Sequence, residues 1–362
     1  MTERAPLLAW YAAHKRDLPW RRDPRPWPVW VSEVMLQQTR VESVLPYFER
    51  FLVRFPTPAA LAAAPLDEVL TLWAGLGYYR RARHLHAAAA QVVERHGGEV
   101  PADAEAFGAL TGVGRYTCGA VQSIAFGHRA PVLDGNVERV LCRLDRVALD
   151  PRAPDVRRGL WARAAKLADH PRPGDVNQAL MELGATVCTP RSPRCEACPL
   201  SAVCAARAGG DAERLPIKAA RPERARVVVV AGLSRDEAGR IWMARRPDEG
   251  LLAGLWELPG VEVPSADPAH LGALGMRAGG EPVVIEHGFT HRVWTLHVFR
   301  ALGTPARSHH SAVRAVAEAD LAALALSGPT LKALRACGVP LAHRRGAGRR
   351  PAAERPPSAS NR

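Results

Sequence analysis

Residues 110–116 read Leu-Thr-Gly-Val-Gly-Arg-Tyr, and residues 133–137 read Leu-Asp-Gly-Asn-Val. The first stretch predicts a glycine turn between two helices, because glycine has no side chain to hold a phosphate away from the backbone. Free N–H groups at the start of the second helix would bind that phosphate. The second stretch puts the carboxylate of Asp134 at a helix entrance. We therefore expect a helical hairpin that binds a polyanion, with a reactive carboxylate beside it.

Each of these two features also has a simpler interpretation. A Gly-x-Gly sequence at a helix start is often only a tight turn, and an aspartate before a helix is usually an N-cap. Taken alone, Asp134 fits the cap better than a catalytic role. Its interpretation therefore depends on the rest of the chain.

The composition indicates a folded, basic protein. The 362 residues suffice for two or three domains, and 47% of them are hydrophobic. The net charge is +13, and nearly all of the excess is arginine. Arginine binds phosphate through two parallel hydrogen bonds, so the balance favours a nucleic-acid partner, although a solvated basic surface explains the charge equally well. With no targeting or membrane-spanning segment, we expect a monomeric, cytoplasmic, nucleoid-associated protein.

The segment 31–39 contains a candidate acid. Its apolar residues follow a helical spacing, and Glu33 stands among Val34, Met35 and Leu36 with no lysine nearby. A glutamate in apolar surroundings has a raised pKa, which a general acid needs at neutral pH. An exposed helical glutamate is the alternative.

Most of the first two hundred residues are predicted to be helical. Predicted helices cover 41–55, 57–63, 66–74, 80–97, 115–128 and 136–147. Between the third and fourth lies the turn 75–80, which carries Tyr78 and Tyr79 beside Arg80. Aromatic side chains next to arginines can wedge into a base stack. They can equally fill a gap between helices.

Four of the seven cysteines are crowded into seventeen residues, at Cys188, Cys195, Cys198 and Cys204. Zinc sites usually pair two Cys-x-x-Cys sequences, whereas this loop has one, so a four-cysteine iron–sulfur cluster fits the spacing better. Arg191 and Arg194 lie inside the loop. We expect the cluster to shape a basic loop that faces phosphate, and a redox role is the alternative.

The composition changes after the cysteines. We predict a helical domain with its cysteine loop over 1–204, an interdomain linker over 205–225, a second domain over 226–340 and a disordered basic tail over 341–362. In the second domain, 226–230 and 240–244 predict a β-hairpin, 293–299 a strand and 321–337 a helix.

These elements together resemble the MutY-type adenine DNA glycosylases of the helix-hairpin-helix superfamily, to which endonuclease III also belongs. The resemblance covers roughly residues 5 to 300 and depends on five elements in order: 30–39, 75–79, 112–117, 133–137 and the four cysteines. It implies a multidomain protein. An all-α helix-hairpin-helix glycosylase core with a 4Fe–4S cluster subdomain would precede an α+β Nudix-like C-terminal domain.

The resemblance also implies an activity, in which adenine mispaired with 8-oxoguanine or guanine is flipped out of double-stranded DNA and cut from its sugar. Glu33 would protonate the adenine, and Asp134 would stay ionised to stabilise the cationic sugar. Further implied residues are Tyr116 and Asn136 on the sugar side, Gln37, Gln38 and Tyr78 in the vacated stack, Gly112 and Gly114 in the hairpin, and Arg16 and Trp20 at the pocket edge.

The C-terminal part resembles the Nudix-like domain that this family uses to recognise 8-oxoguanine. Residues 255–260, Leu-Trp-Glu-Leu-Pro-Gly, support it, but the metal-binding Arg-Glu-x-x-Glu-Glu run of Nudix hydrolases is absent between 260 and 290. We therefore expect recognition without pyrophosphate hydrolysis. Phe289, Thr290 and His291 match a Phe-Ser-His loop of the family, with threonine in place of serine. Packing at a strand end is the alternative role for this loop.

Tyr116 separates this chain from close relatives. Bifunctional members of the superfamily have a lysine there, which forms a Schiff base and then breaks the strand, whereas no motif of this chain contains lysine. We therefore expect base removal without efficient strand cleavage. An endonuclease III-like lyase and a non-catalytic lesion-binding protein are the two alternatives.

Overall fold

The helical part of the chain comes first. The computed structural model describes residues 3–218, 223–306 and 309–341. Its α-helices are α1 (Arg4–His14), α2 (Pro19–Arg22), α3 (Pro26–Leu36), α4 (Val41–Arg54), α5 (Pro58–Ala62), α6 (Leu66–Trp73), α7 (Arg80–His96), α8 (Ala104–Gly108), α9 (Arg115–Ile124), α10 (Gly135–Leu144), α11 (Pro154–Ala168), α12 (Pro173–Thr186), α13 (Ala205–Ala208) and α14 (Gly328–Ala336). Among the described residues, no helix is long and apolar enough to cross a membrane.

Two hydrophobic cores hold the helical part together. The first is built from α3, α4, α6 and α7, with Trp30, Phe51 and Trp73 fully buried. The second is built from α1, α10, α11 and α12. Helix α9 contributes Val121 to the first core and Ala120 to the second. The boundary between the cores therefore runs along α9, and α1 packs against α12 on the far side of the second core.

The predicted helices over 41–97 correspond to α4, α5, α6 and α7, with small differences at their ends. Helices α9 and α10 end three or four residues earlier than predicted, at Ile124 and Leu144. Gly127 has a left-handed φ of +72°, which a continuing helix does not allow. The sequence therefore predicted which segments are helical better than it predicted where they stop.

The predicted linker has structure in its first half. Helix α13 and a short 3-10 helix (Ala212–Arg214) lie within 205–214, and the side chain of Leu215 is buried. The guanidinium of Arg143 donates a hydrogen bond of 2.9 Å to the carbonyl of Leu215. These contacts join the segment to α10 and the cysteine loop. Residues 219–222 of the linker lie outside the described residues.

The C-terminal part forms two sheets and a helix. Its strands are β1 (Ala225–Ser234), β2 (Ile241–Arg245), β3 (Trp256–Glu257), β4 (Gly260–Val263), β5 (Arg277–Gly288), β6 (Arg292–Leu302) and β7 (Ala312–Val316). One sheet has the order β4-β1-β6-β5 and the other the order β3-β2-β7. Within the first sheet, β1 and β6 are parallel, whereas the other pairs are antiparallel. The predicted strand over 293–299 is confirmed by β6.

The predicted hairpin of 226–230 with 240–244 is wrong. Strand β1 lies in the four-stranded sheet and β2 in the three-stranded sheet, so that they meet only at the bridge between Arg235 and Ile241. The reason is that β1 is apolar on both faces. Val229 belongs to one core of this domain and Val230 to another. A strand buried on both faces fits the middle of a sheet better than a two-stranded ribbon.

The predicted helix over 321–337 is only partly correct. A 3-10 helix (Glu318–Ala323) is followed by extended residues, and a new helix, α14, begins at Gly328. Ser327 caps α14 by accepting a hydrogen bond from the Thr330 N–H at 3.3 Å, and Pro329 stands in its first turn. These start signals interrupt the helix. Residues 342–362 of the predicted tail lie outside the described residues, which end at Leu341.

The two parts of the chain share a core. Leu255 and Ala325 from the C-terminal part are buried in the first helical core, beside residues of α6 and α7. Hydrogen bonds accompany this packing: the Arg83 guanidinium donates to the carbonyl of Ala253 at 2.9 Å. The C-terminal domain is therefore docked directly on the helices that flank the turn of Tyr78.

Candidate active site

Glu33 lies at the bottom of the junction between the two helical cores. It is 5% exposed, and the hydroxyl of Tyr116 on α9 donates a hydrogen bond of 2.6 Å to its Oε2 atom. Burial raises the pKa of Glu33 to about 7, and the neighbouring carboxylate of Asp134 adds to the rise. The hydrogen bond from Tyr116 and the charge of Arg21 oppose it. The predicted raised pKa is therefore confirmed, and the carboxyl group can carry a proton near neutral pH.

Asp134 reaches the same junction from the other core. It caps α10: its Oδ1 atom accepts hydrogen bonds from the N–H groups of Asn136 at 3.0 Å and Val137 at 2.7 Å. Its Oδ2 atom accepts from the Asn136 amide at 2.8 Å. Burial raises the pKa of Asp134, while these three hydrogen bonds and Arg139 lower it. The cap interpretation is therefore correct, and the same carboxylate also lies close enough to affect Glu33.

Asn136 is held by its neighbours on α12. A Cβ atom at Gly184 would lie 2.6 Å from the Cβ of Asn136, so only glycine allows this approach. The Arg139 guanidinium donates to the Asn136 side-chain oxygen at 2.9 Å. The Asn136 side chain therefore accepts a hydrogen bond from Arg139 and donates one to Asp134. Together with the backbone N–H of Asn136, these contacts fix the orientation of the Asp134 carboxylate.

Tyr116 is a neutral donor in this arrangement. Burial and the two nearby carboxylates raise the pKa of Tyr116 well above its usual value. The sulfur of Met181 lies 3.3 Å from its hydroxyl. A phenol that keeps its proton can stabilise the charged form of Glu33 whenever that residue has lost its own proton.

The glycine turn before Tyr116 has the predicted helix–turn–helix form, between α8 and α9. Gly112 has a φ of +76°, and a Cβ there would lie 2.5 Å from the Cβ of His84. The N–H of Thr111 donates to the Gln91 side chain at 2.8 Å. Gly114 caps α9 without a side chain. The turn is thus fixed against α7, and the residue that precedes α9, Gly114, has no side chain.

Arg81 is a functional candidate that the sequence did not reveal. Only 8% of this residue is exposed. Its guanidinium donates hydrogen bonds of 2.6–3.1 Å to four backbone carbonyls, those of Val34, Met35, Gln37 and Gly77. Burial lowers the pKa of Arg81 to about 10, so it remains charged at neutral pH. It satisfies the last carbonyls of α3, which ends at Leu36. Nothing in the sequence separates Arg81 from Arg80.

Through Arg81, two predicted DNA-contacting segments meet at one rim. Gln38 and Tyr78 both have left-handed backbone conformations, with φ of +57° and +49°. Tyr78 is 45% exposed and lies 5.3 Å from the Arg81 guanidinium. Gln37 donates to the Thr117 hydroxyl at 3.2 Å. The rim therefore offers an exposed aromatic ring beside two amide side chains.

The two predicted pocket-edge residues are less accessible. The Arg16 guanidinium makes two hydrogen bonds to Glu182, at 2.7 Å and 3.0 Å, and Arg21 donates to the same carboxylate at 2.8 Å. Trp20 is buried in the first core and meets Phe48 edge-on. Their proposed contacts with a base stay predictions. Glu182 forms ion pairs with both arginines, and only 1% of its side chain is exposed. The sequence analysis did not identify this residue.

The four clustered cysteines lie together. Cys188, Cys195, Cys198 and Cys204 line one cavity beneath α10. The buried guanidinium of Arg143 lies 3.3 Å from the Cys188 sulfur and donates to the carbonyls of Thr189 and Pro190. Four thiols around one cavity are the donor set of an iron–sulfur cluster, and a cation beside them offsets the charge that such a set carries. The residues present therefore fit the predicted cofactor.

The predicted recognition loop forms the tip of the β5–β6 hairpin. The Phe289 N–H donates to the carbonyl of Arg292 at 2.8 Å, which closes the turn. The Phe289 ring is half-buried and meets His287 and Trp294 edge-on, at 4.7 Å and 5.0 Å between ring centres. Thr290 and His291 are exposed. Strand-end packing therefore applies to Phe289, while the other two side chains face solvent.

A separate cavity of about 280 Å³ lies between the two sheets. Its lining includes Trp294, Arg246 and Glu257, and the latter two form an ion pair of 2.9 Å. The acidic run that a Nudix hydrolase needs for its metal is missing from residues 260–290. We therefore assign no catalytic role to this cavity.

Three family models match the chain. Residues 31–166 match the helix-hairpin-helix superfamily of base excision DNA repair proteins, residues 188–204 the iron–sulfur binding domain of endonuclease III, and residues 230–336 the NUDIX domain. These matches confirm the predicted fold class and the 4Fe–4S cluster. The predicted pairing of a helical repair core with a Nudix-like domain is therefore correct.

Among curated proteins, the chain is similar to the adenine DNA glycosylase of Homo sapiens, with 44% identity over 311 residues that cover 71% of this chain and 57% of the relative. It is 33% identical over 377 residues to the adenine DNA glycosylase of Schizosaccharomyces pombe, covering 83% of this chain and 82% of that protein. The chain thus spans 57% of the length of the human relative. The solved structure of a thermostable thymine-DNA glycosylase matches 57% of this chain and 94% of its own, with a TM-score of 0.52 and 30% identity.

Proposed function

Because the chain belongs to the adenine DNA glycosylase family, we propose that it removes adenine mispaired with 8-oxoguanine, or with guanine, from duplex DNA. The reaction is hydrolysis of the N-glycosidic bond in base excision repair. The observation that carries the proposal is the burial of Glu33 beside the carboxylate of Asp134, which raises the pKa of Glu33 to about 7 and so favours a protonated carboxyl group in the site. Its proposed substrate would keep the protein with the nucleoid.

Glu33 is the proposed general acid. A carboxyl group whose pKa is about 7 holds a proton at neutral pH and releases it readily. Transfer of that proton to the adenine ring makes the base a better leaving group. Glu33 is then ionised, and the hydrogen bond from Tyr116 stabilises the charge.

Asp134 is the proposed partner of the sugar. Bond cleavage leaves positive charge on the sugar ring, which a nearby carboxylate stabilises. The three N–H donors on Asp134 favour its ionised form and fix its direction. Asn136 and Tyr116 complete the proposed sugar side of the site. Water then adds to the sugar carbon and leaves an abasic site.

Strand cleavage would require an amine that can form a Schiff base with the opened sugar. Among the described residues, the side chains that bond Glu33 and Asp134 or act on them by charge are, besides each other, Tyr116, Asn136, Arg21 and Arg139, and none of these is a lysine. We therefore propose a monofunctional glycosylase.

The rim above the acid is the proposed place of base flipping. Gln37, Gln38 and Tyr78 would fill the space that the adenine leaves, at an unstacking cost of about a few kcal/mol. The N–H groups in the first turn of α9, which follow Gly114, would bind phosphate, while the positive φ of Gly112 gives the turn its shape. Arg16 and Trp20 remain the proposed edge of the adenine pocket. The net charge of +13 supports binding to a polyanion.

Two further regions have proposed roles in DNA recognition. The cluster, when bound, joins the four cysteines and so fixes the loop that presents Arg191 and Arg194, both exposed, to the DNA backbone. The hairpin tip with Phe289, Thr290 and His291 would contact the 8-oxoguanine. Because Thr290 keeps a hydroxyl and adds a methyl group, that contact would be altered or weakened.

The test is a single-turnover incubation of the protein with a duplex that contains one adenine opposite 8-oxoguanine, analysed with and without alkali. We expect strand breaks only after alkali, because alkali breaks the DNA strand at abasic sites. Breaks without alkali that borohydride can trap would indicate a lyase. No breaks in either arm would contradict the glycosylase and favour a lesion-binding protein.

A further inference from the structure

Tyr79, the residue after the exposed Tyr78, joins the two domains through its hydroxyl group. The hydroxyl accepts a hydrogen bond from the N–H of Gly75 at 3.2 Å and donates one to the carbonyl of Leu326 at 3.1 Å. Gly75 lies at the start of the glycine turn, whereas Leu326 belongs to the C-terminal domain. Since Tyr79 is only 7% exposed, water cannot readily replace either partner.

The turn that Tyr79 holds is conformationally constrained. Gly75 has a φ of +102°, and a Cβ at this position would lie 2.4 Å from the Tyr47 hydroxyl. Gly77 and Tyr78 also have positive φ, of +78° and +49°. A positive φ at tyrosine costs free energy, so surrounding contacts must maintain it. Arg81 supplies contacts on one side of the turn, through the Gly77 carbonyl, and Tyr79 supplies them on the other.

The C-terminal segment that meets Tyr79 is itself well fixed. The carbonyl of Ala325 accepts a hydrogen bond of 2.9 Å from the Trp256 N–H, which ties the segment to β3. The Ala325 side chain is buried in the first helical core. The Thr71 hydroxyl on α6 donates to the carbonyl of Ala323 at 3.2 Å. The docked domain thus presents the Leu326 carbonyl at a defined point beside the turn.

We propose that Tyr79 is a positioning residue, through which docking of the C-terminal domain sets the conformation of the Gly75–Tyr78 turn and hence the direction of the Tyr78 ring. The proposal rests on the proposed function, in which Tyr78 enters the base stack. It gives the C-terminal domain a second role. Besides carrying the tip of the β5–β6 hairpin, the C-terminal domain would hold the Tyr78 ring of the helical domain in the direction in which it enters the base stack.

The experiment compares the full-length wild type with Tyr79→Phe and with Thr71→Val. Tyr79→Phe keeps the ring and removes the hydroxyl that bonds Gly75 and Leu326. Thr71→Val removes an interdomain hydrogen bond of similar length that does not touch the turn. The control therefore separates a general loosening of the interface from an effect on the turn.

The first measurement is hydrogen–deuterium exchange of a peptide covering residues 74–79 in the DNA-free protein. In Tyr79→Phe we expect the Gly75 amide to exchange roughly three to ten times faster, the effect of losing one hydrogen bond. In Thr71→Val we expect the exchange of this peptide to be unchanged. Equal exchange in Tyr79→Phe and the wild type would overturn the proposal, whatever the protein does to DNA.

The second measurement is the single-turnover rate of adenine excision at saturating protein, with 2-aminopurine beside the target adenine to report stacking. We expect Tyr79→Phe to lower the rate by about three- to tenfold and to change the fluorescence on binding, while the control stays within about twofold. Equal slowing by both variants would also overturn the proposal. If the wild type removes no adenine, the proposed function fails, and the exchange data alone decide the role of Tyr79.

Discussion

Glu33 and the tip of the β5–β6 hairpin are built in opposite ways. Glu33 is buried, its partner Tyr116 is fixed at 2.6 Å, and its pKa is changed by its surroundings. Thr290 and His291 stand in solvent on a turn closed by one backbone hydrogen bond. The difference teaches that the fold prepares the chemistry in advance. The side chains proposed to read the opposite base, by contrast, are exposed at a hairpin tip.

The largest expected effect concerns the buried carboxyl group of Glu33. Glu33→Gln removes the proton that the adenine must receive, so we expect single-turnover excision to fall by about 10²- to 10⁴-fold, opposite 8-oxoguanine and guanine alike. Binding to the mispaired duplex should survive. Glu49→Gln, a change of an exposed glutamate on α4, is the matched control. Persistent excision by Glu33→Gln would mean that another residue supplies the proton.

The pH dependence of the rate is the next largest effect. The proposed active form of Glu33 is protonated, and its pKa is about 7. The rate should therefore be flat below that value and fall as the pH rises above it, approaching about tenfold for each further pH unit. The measurement is the single-turnover rate from about pH 5.5 to about pH 8.5. A rate that increases across this range would require the ionised form and contradict the assignment.

Tyr116→Phe sharpens the description of the buried pair. The phenol stabilises the charged form of Glu33, so its removal should raise the pKa of Glu33 and move the fall in rate to higher pH. We also expect the plateau rate to drop by about three- to tenfold, because the ionised acid loses a donor. A shift of the midpoint to lower pH would contradict this account.

The smallest expected effect concerns the hairpin tip. Thr290→Ser removes one methyl group from an exposed side chain and keeps the hydroxyl. We expect the ratio of excision rates opposite 8-oxoguanine and guanine to change by no more than about threefold, with the pH profile unchanged. Rates on the two duplexes measured side by side give the ratio. A change in the pH midpoint would show that the two regions are not independent.

Local chemistry made the candidate site largely predictable from the sequence. Glu33 stands in an apolar helix, which fixes its burial and its pKa, and the cap role of Asp134 follows from its place before α10. Gly112 could be predicted in the turn because its positive φ excludes most other residues. Each of these inferences needs only the neighbouring residues along the chain. The role of each residue in the reaction stays a prediction.

What the sequence could not predict depends on contacts between distant segments. Arg81 is buried because α3 and the glycine turn both bring carbonyls to it, and no local pattern encodes that meeting. The wrong hairpin has the same origin: β1 pairs with β6, whose strand begins more than fifty residues later. Glu182 was missed because its arginine partners lie near the other end of the helical domain.

The packing of α1 against α12 sets an order of events during protein synthesis. The apolar face of α1, with Leu7, Leu8 and Tyr11, has its partners in the second core, which is completed only when α12 has left the ribosome. At typical translation rates this takes roughly 10 to 40 seconds, during which the contacts of α1 with α12 cannot form. A nascent chain that ends before α12 therefore leaves this face of α1 without its partners on that helix. The second core, which includes residues next to Asp134, is therefore completed late in the folding of this domain.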